Sequence, residues 1–306
     1  MSNTLSPKDL AIAIGVSESS VKRWADAGTI RIGRTAGGHR RIAREEAIRF
    51  IRQAGVRVVR PELLGFPETS DHAGNVQSDS TEADILFEAL RDGARERVLG
   101  LLQGWFLSGR ALSWIFDKPV AGAMTRIGDL WRHQGDGVLL EHRATDLCIQ
   151  AVTQLRLALP AERPGSLVSV GASPTGDPYL LPSIMAATIL QDSGMHVINL
   201  GPETPLAVLQ DAAEKHDACL AWLSVSTDAG AENASAGLGR LAEELGKRGT
   251  RLVVGGRACD SLQSTRSANL MFIDSMAELA AFAGGLMTIA LPGSVPQNDL
   301  EKDGTL

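Results

Sequence analysis

The chain has 306 residues, 44% hydrophobic and 22% charged, with a net charge of −6; this suits two or three ordinary globular domains and excludes a fibrous or low-complexity protein. No apolar run is as long as a membrane span, and the opening MSNTLSPKDL lacks the apolar stretch of a signal peptide, so a cytoplasmic protein with no membrane partner is expected. Charge is unevenly divided: residues 1–60 carry twelve Lys/Arg against five Asp/Glu, net +7, and the remainder is net −13. A basic head on an acidic body predicts a polyanion partner for the head alone. Cys148, Cys219 and Cys259 are far apart and form no CxxC pair, as expected of buried thiols in a reducing compartment.

In the head, Ser6 is placed to cap a helix with Pro7 at its first position and Asp9 in its first turn. Leu10, Ala11 and Ile14 supply the apolar face, and Gly15 ends the helix. Ser17 caps a second helix with Val21 and Trp24 inward, closed by Gly28. Two short helices around a tight turn predict a helix-turn-helix, whose second helix enters the major groove of double-stranded DNA. The stretch Ile30–Ile32, a loop with Gly37 and Gly38, and Arg40–Ile42 predict a β-hairpin wing, and a third helix follows from Arg44 to Gln53. Ser19, Lys22 and Arg23 are the candidates for groove contact. Arg34, Thr35, Gly37, Gly38, His39, Arg40 and Arg41 are those for the phosphate backbone. Trp24 is expected in the core.

Residues 61–81 are rich in Pro, Gly, Ser and Asp and predict a flexible tether. Residues 82–160 repeat apolar positions at helical spacing: one helix from Glu82 to Trp105, then segments at about 111–117, 120–133 and 138–157. Pro119, Gly135 and Gly137 act as breakers. These four segments predict a four-helix bundle. From about 165 to 291, five apolar strands alternate with helices, predicting a flavodoxin-like doubly wound α/β domain. Its ligand loop, Gly171 to Asp177, follows the first strand. No Walker motif or GxGxxG is present, against a nucleotide triphosphate or dinucleotide site. The tail, 292–306, is expected to be disordered.

Three resemblances attach to these segments. The head, through VKRWADAGTI and RTAGGHRRI, resembles the winged-helix domain of MerR-type regulators. It lacks their long dimerising helix, so self-association is expected to come from the body or to be absent. The stretch Trp131 to His142 resembles the cap helices of the CarH/LitR group of cobalamin-dependent photoreceptor regulators. That likeness implies a tryptophan (Trp131) and a Glu-His pair (Glu141, His142), with Val138 beside them, over the upper face of a corrin ring. The third segment, 166–205, resembles the start of a cobalamin-binding domain with the motif Asp-x-His-x-x-Gly. Asp177 is kept, but Tyr179 stands where the family has the histidine that ligates cobalt from below, and Pro182 where it has glycine. Ser224 and Ser226 end the third strand and Gly255 and Gly256 the fourth, where the resemblance implies contacts with the nucleotide tail.

The imidazole that light-responsive members place just after the tryptophan is here Arg132. No metal ligand is therefore certain. Three occupants stay open: cobalamin (adenosylcobalamin) with its own base or water below cobalt, another tetrapyrrole, or none. The resemblance as a whole implies a DNA-binding transcriptional regulator, a repressor rather than an enzyme, with a ligand- or light-responsive sensor. The alternatives are a cobalamin-independent regulator whose body is an oligomerisation or partner-binding module, and a corrinoid carrier in methyl transfer.

Overall fold

The computed structural model describes residues 3–66, 81–131, 137–161 and 164–290. The tail at 292–306 and most of the expected tether lie outside them.

The basic segment contains β1 (Thr4–Leu5), α1 (Pro7–Ala13), α2 (Glu18–Asp26), β2 (Gly33–Arg34), β3 (Arg40–Ala43) and α3 (Arg44–Ala54). Ser6 and Asp9 close a reciprocal capping box on α1, and Ser17 accepts from Ser20 N at the start of α2, each satisfying helix N–H groups that have no partner within the helix. The hairpin pairs Gly33 with Arg41 and Arg34 with Arg40. Its first strand begins at Gly33, not Ile30, because Ile30 is needed in the core. A further strand, β1, pairs with β3; two residues are too few to show a period in sequence. Trp24, expected in the core, is half-buried and packs against its edge, on Phe50 at 5.0 Å between ring centroids.

The expected tether begins later than predicted. Pro61–Leu64 form a 3-10 turn, and Leu64 and Phe66 are buried at 1% and 4% exposure. Val59 N and Arg60 N both donate to Ala13 O. Polar composition hid two large apolar residues that pack under α1 and against Phe106, whose ring centroid lies 6.4 Å from that of Phe66.

The next part is helical: α4 (Glu82–Asp92), α5 (Arg95–Leu107), α6 (Leu112–Ile115), α7 (Ala121–Trp131) and α8 (Gly137–Leu157). The single helix expected from Glu82 to Trp105 is two, because Gly93 takes a left-handed φ of 68° and caps α4. Pro119 does not break the chain either. It sits in a π turn, Phe116–Val120, that joins α6 to α7 without a gap; the wider turn accommodates a residue without an N–H.

The last part is a parallel five-stranded sheet in the order β5-β4-β6-β7-β8, comprising β4 (Val168–Pro174), β5 (His196–Thr204), β6 (Leu220–Ser224), β7 (Arg251–Gly255) and β8 (Leu270–Ile273). All five strands run parallel, but the chain adds β5 on one side of β4 and β6 to β8 on the other, so the gap between β4 and β6 is the switch point where such sheets take ligands. The helices are α9 (Leu181–Asp192), α10 (Leu206–Lys215), α11 (Asp228–Lys247) and α12 (Met276–Ala290). One buried cluster runs unbroken from the basic segment through the bundle to the α9/α12 side of the sheet. A second lies between the sheet and α10/α11. Among the described residues no helix is long and apolar enough to cross a membrane.

Candidate functional site

A cavity of about 1010 Å³ opens between the helical bundle and the carboxyl ends of the strands. That is at the upper end of the range for small-molecule sites, so its ligand is large. The bundle wall is formed by α7 and α8, including Met124, Gly128, Val138, Glu141 and His142; the sheet wall includes Tyr179, Ser224, Ser226, Gly255 and Gly256. The two walls are tied at the rim. Asp117, in the π turn, accepts from Met276 N at 2.8 Å and Ala277 N at 3.0 Å, so a carboxylate from the bundle serves the N–H groups that open α12.

Of the expected loop from Gly171 to Asp177, residues up to Pro174 belong to β4; the turn that follows, Thr175 to Asp177, is held from both sides. Gly176 N donates to Glu203 at 2.7 Å, Thr227 Oγ1 to Gly176 O at 2.8 Å, and Asn233 Nδ2 to Thr175 O at 3.0 Å. Asp177 is fully buried. Its carboxylate accepts from Tyr179 N at 3.1 Å and from Ser226 N, so it is spent on backbone and bonds the two loops of the switch point together. Burial raises its pKa, against the opposing effect of these bonds and of the Arg257 charge. Tyr179 faces the cavity with the guanidinium of Arg257 5.2 Å from its ring centre. Arg257 Nε donates to Ser226 O at 2.7 Å, fixing the cation over the phenol.

Gly255 and Gly256 are required by the backbone. A Cβ on Gly255 would lie 2.8 Å from Ile273 O, and Gly256 has a φ of +113° with Val225 main chain where a Cβ would go. From above, Glu141 bonds Thr145 at 3.2 Å and lies 3.5 Å from His142. Val138, at 54%, and the His142 side chain are exposed to the cavity mouth. Trp131 ends α7, and its side chain, like Arg132, lies outside the described residues.

Among the site residues that the sequence reading missed, Arg257 and Trp222 matter most. Arg257 follows the paired glycines, and its position there was the available signal. Trp222, on β6, lines the cavity floor, is 2% exposed, and leaves its indole N–H without a partner. It reads as one more apolar residue in LAWLS, and only strand pairing opposite Gly171 reveals its role.

The predicted DNA contacts are not alike in their surroundings. Ser19, Lys22 and Arg23 are exposed on α2, as are Arg34, Thr35, Gly37, Gly38 and His39 on the hairpin. Thr35 Oγ1 accepts from His39 N at 3.2 Å, and Gly38 has φ 79°, which shapes the turn. Arg40 and Arg41 are half-buried, and Arg40 pairs with Asp26 at 2.7 Å, bracing the hairpin on α2. Lys22 pairs with Glu18 at 2.7 Å.

Residues 83–156 match the family described as "B12 binding domain". No curated protein matches the chain. Among solved structures, the monomethylamine corrinoid protein of Methanosarcina barkeri is similar with a TM-score of 0.52 and 16% identity, over 67% of this chain and 98% of that one. The methanol:cobalamin methyltransferase complex of the same organism gives 0.36 and 16%, over 72% and 85%. A cobalamin-binding protein from Desulfitobacterium hafniense DCB-2 gives 0.32 and 17%, over 67% and 95%. The match of the bundle to a B12-binding domain supports cobalamin binding. The cavity suits a large flat macrocycle between the bundle wall and the glycine-lined strand ends. The floor below does not offer the loop imidazole, and the indole of Trp222 closes it.

Proposed function

We propose that this chain is a DNA-binding transcriptional regulator in which residues 1–60 form a winged helix-turn-helix of MerR type and the bundle and sheet form a cobalamin sensor. The observation that carries the reading is the charge division. A segment of net +7, with Arg23 on α2 and Arg34 and His39 on the hairpin exposed together, is joined to a body of net −13. Phosphate neutralisation is the work such a surface suits.

When bound, cobalamin would supply a macrocycle with a metal centre, held by residues of the two walls of the cavity. The chain's own residues do the rest. Val138, Glu141 and His142 bear on it from α8, Gly255 and Gly256 let it approach the strand ends, and the bonds from Asp117 to α12 hold the walls in register. Occupancy stabilises the closed arrangement of bundle and sheet by mass action. The head feels that arrangement through Arg52 of α3. Its guanidinium lies 4.1 Å from the Phe106 ring centre, bonds Arg110 O at 3.3 Å, and approaches Asp192 of α9 at 4.0 Å. The signal in this reading is occupancy, since Tyr179 and Arg132 stand where a light switch on two imidazoles would need histidines. Self-association through bundle and body is part of the proposal.

The test is binding to duplex DNA by fluorescence anisotropy at several salt concentrations, with and without adenosylcobalamin, in darkness and under light. Affinity that falls steeply with salt, and changes with the corrinoid, supports the reading. No binding to duplex at low ionic strength in either state refutes it. The likeness to the Methanosarcina corrinoid protein favours a second reading, a corrinoid carrier in methyl transfer, which gives the basic segment no task and predicts that same absence of DNA binding.

A further inference from the structure

The floor of the cavity carries the inference, which rests on the cofactor assignment above. Trp222 lies between the cavity and Gly171 of the neighbouring strand: the indole lines the cavity, and a Cβ on Gly171 would overlap its ring. The glycine leaves a depression in the sheet on the side facing α9, and the indole fills it. Its N–H is buried without a partner, a cost that a smaller side chain would avoid. Cobalamin has a nucleotide tail ending in benzimidazole, which either stays on the lower face of cobalt or is displaced and must be housed elsewhere. Two independent features decide between these. Tyr179 offers a phenol and no nitrogen, so the loop supplies no imidazole to displace the base. Trp222 fills the depression over Gly171 and so closes the way from the cavity into the α9 side of the sheet.

We infer that this chain takes cobalamin with its benzimidazole still bound to cobalt, Tyr179 withholding a displacing ligand and Trp222 excluding the tail from the sheet. Each substitution would be of little use without the other; together they set the form of cofactor that the site accepts. Tyr179 and Arg257 then bear on the folded nucleotide loop, whose phosphate is the natural partner for an arginine at the strand ends.

The test uses the full chain grown on the heavy isotope of nitrogen, loaded with unlabelled cobalamin and reduced to the cobalt(II) state. Electron paramagnetic resonance then distinguishes the axial donor. Three-line nitrogen splitting, from the unlabelled benzimidazole, is expected for the native protein. Tyr179→His should keep three lines, because the displaced base still has nowhere to go. Tyr179→His combined with Trp222→Ala should give two lines, from a labelled protein nitrogen. Two-line or unsplit signals from the native protein overturn the inference alone, and two lines from Tyr179→His alone remove Trp222 from it. Failure of the native protein to retain any corrinoid overturns the cofactor assignment as well. Should the double variant not fold, the native and single-variant spectra still decide.

Discussion

Gly171 and Trp222 should be energetically coupled, and a double-mutant cycle measures how strongly. Trp222→Ala empties a fully buried site and is expected to cost about 3–5 kcal/mol. Gly171→Ala adds one methyl inside the space of the indole ring, an overpacking cost of about 1–3 kcal/mol, because the ring must shift against the α9/α12 core or out toward the cavity. In the double variant the new methyl enters vacated space, so its own cost largely disappears. The pair should therefore fall short of the sum by about 1–3 kcal/mol, within the usual range for residues in contact. The assay is urea unfolding followed by far-ultraviolet circular dichroism, which does not depend on the tryptophan removed, with free energies taken from midpoints at constant slope. Additivity to within about 0.5 kcal/mol would refute the packing on which the floor of the cavity depends.

Arg34→Ala should weaken DNA binding and lower the salt slope by about one phosphate contact while leaving the melting temperature unchanged. Arg40→Ala should also lower thermal stability, since it removes the bond to Asp26; equal melting temperatures for the two variants would contradict this division. Glu46 is buried, and although burial opposes its charge, its bonds to Arg49 and to Arg31 N hold its pKa below the usual value. Its contribution is therefore complete above the unfolded carboxylate range and lost as pH falls through the lowered folded value. Glu46→Gln should cost about 1–3 kcal/mol at neutral pH and flatten the acid limb of a stability–pH profile, and an unchanged limb would count against it. Leu64→Ala should destabilise by about 2–5 kcal/mol, measured by thermal unfolding, whereas a residue in a true tether would give no change.

What the sequence made legible were features set by local rules. Ser6 with Pro7 and Asp9, and the apolar runs around Val170, Leu223 and Val253, needed no knowledge of distant neighbours. The loop at Asp177 and the paired glycines were readable for the same reason, being short motifs at strand ends. The roles that stayed hidden are set by residues far apart in the chain. The Asp177 carboxylate is claimed by Ser226 N, 49 residues on, and Trp222 acts through Gly171. Pro119 was misread because a π turn depends on packing and leaves no compositional trace. Phe66 was misread because two apolar residues in a polar stretch produce no period.

The burial of Leu64 and Phe66 bears on where the protein can be divided. Its charge changes sign near residue 60, and a truncation guided by that boundary would sever two anchors that seat α1 and α3 onto Phe106. An isolated reader fragment would keep its arginines and lose part of its foundation. Whatever disturbs the helices around Phe106 is thereby passed on to the basic surface proposed to bind DNA.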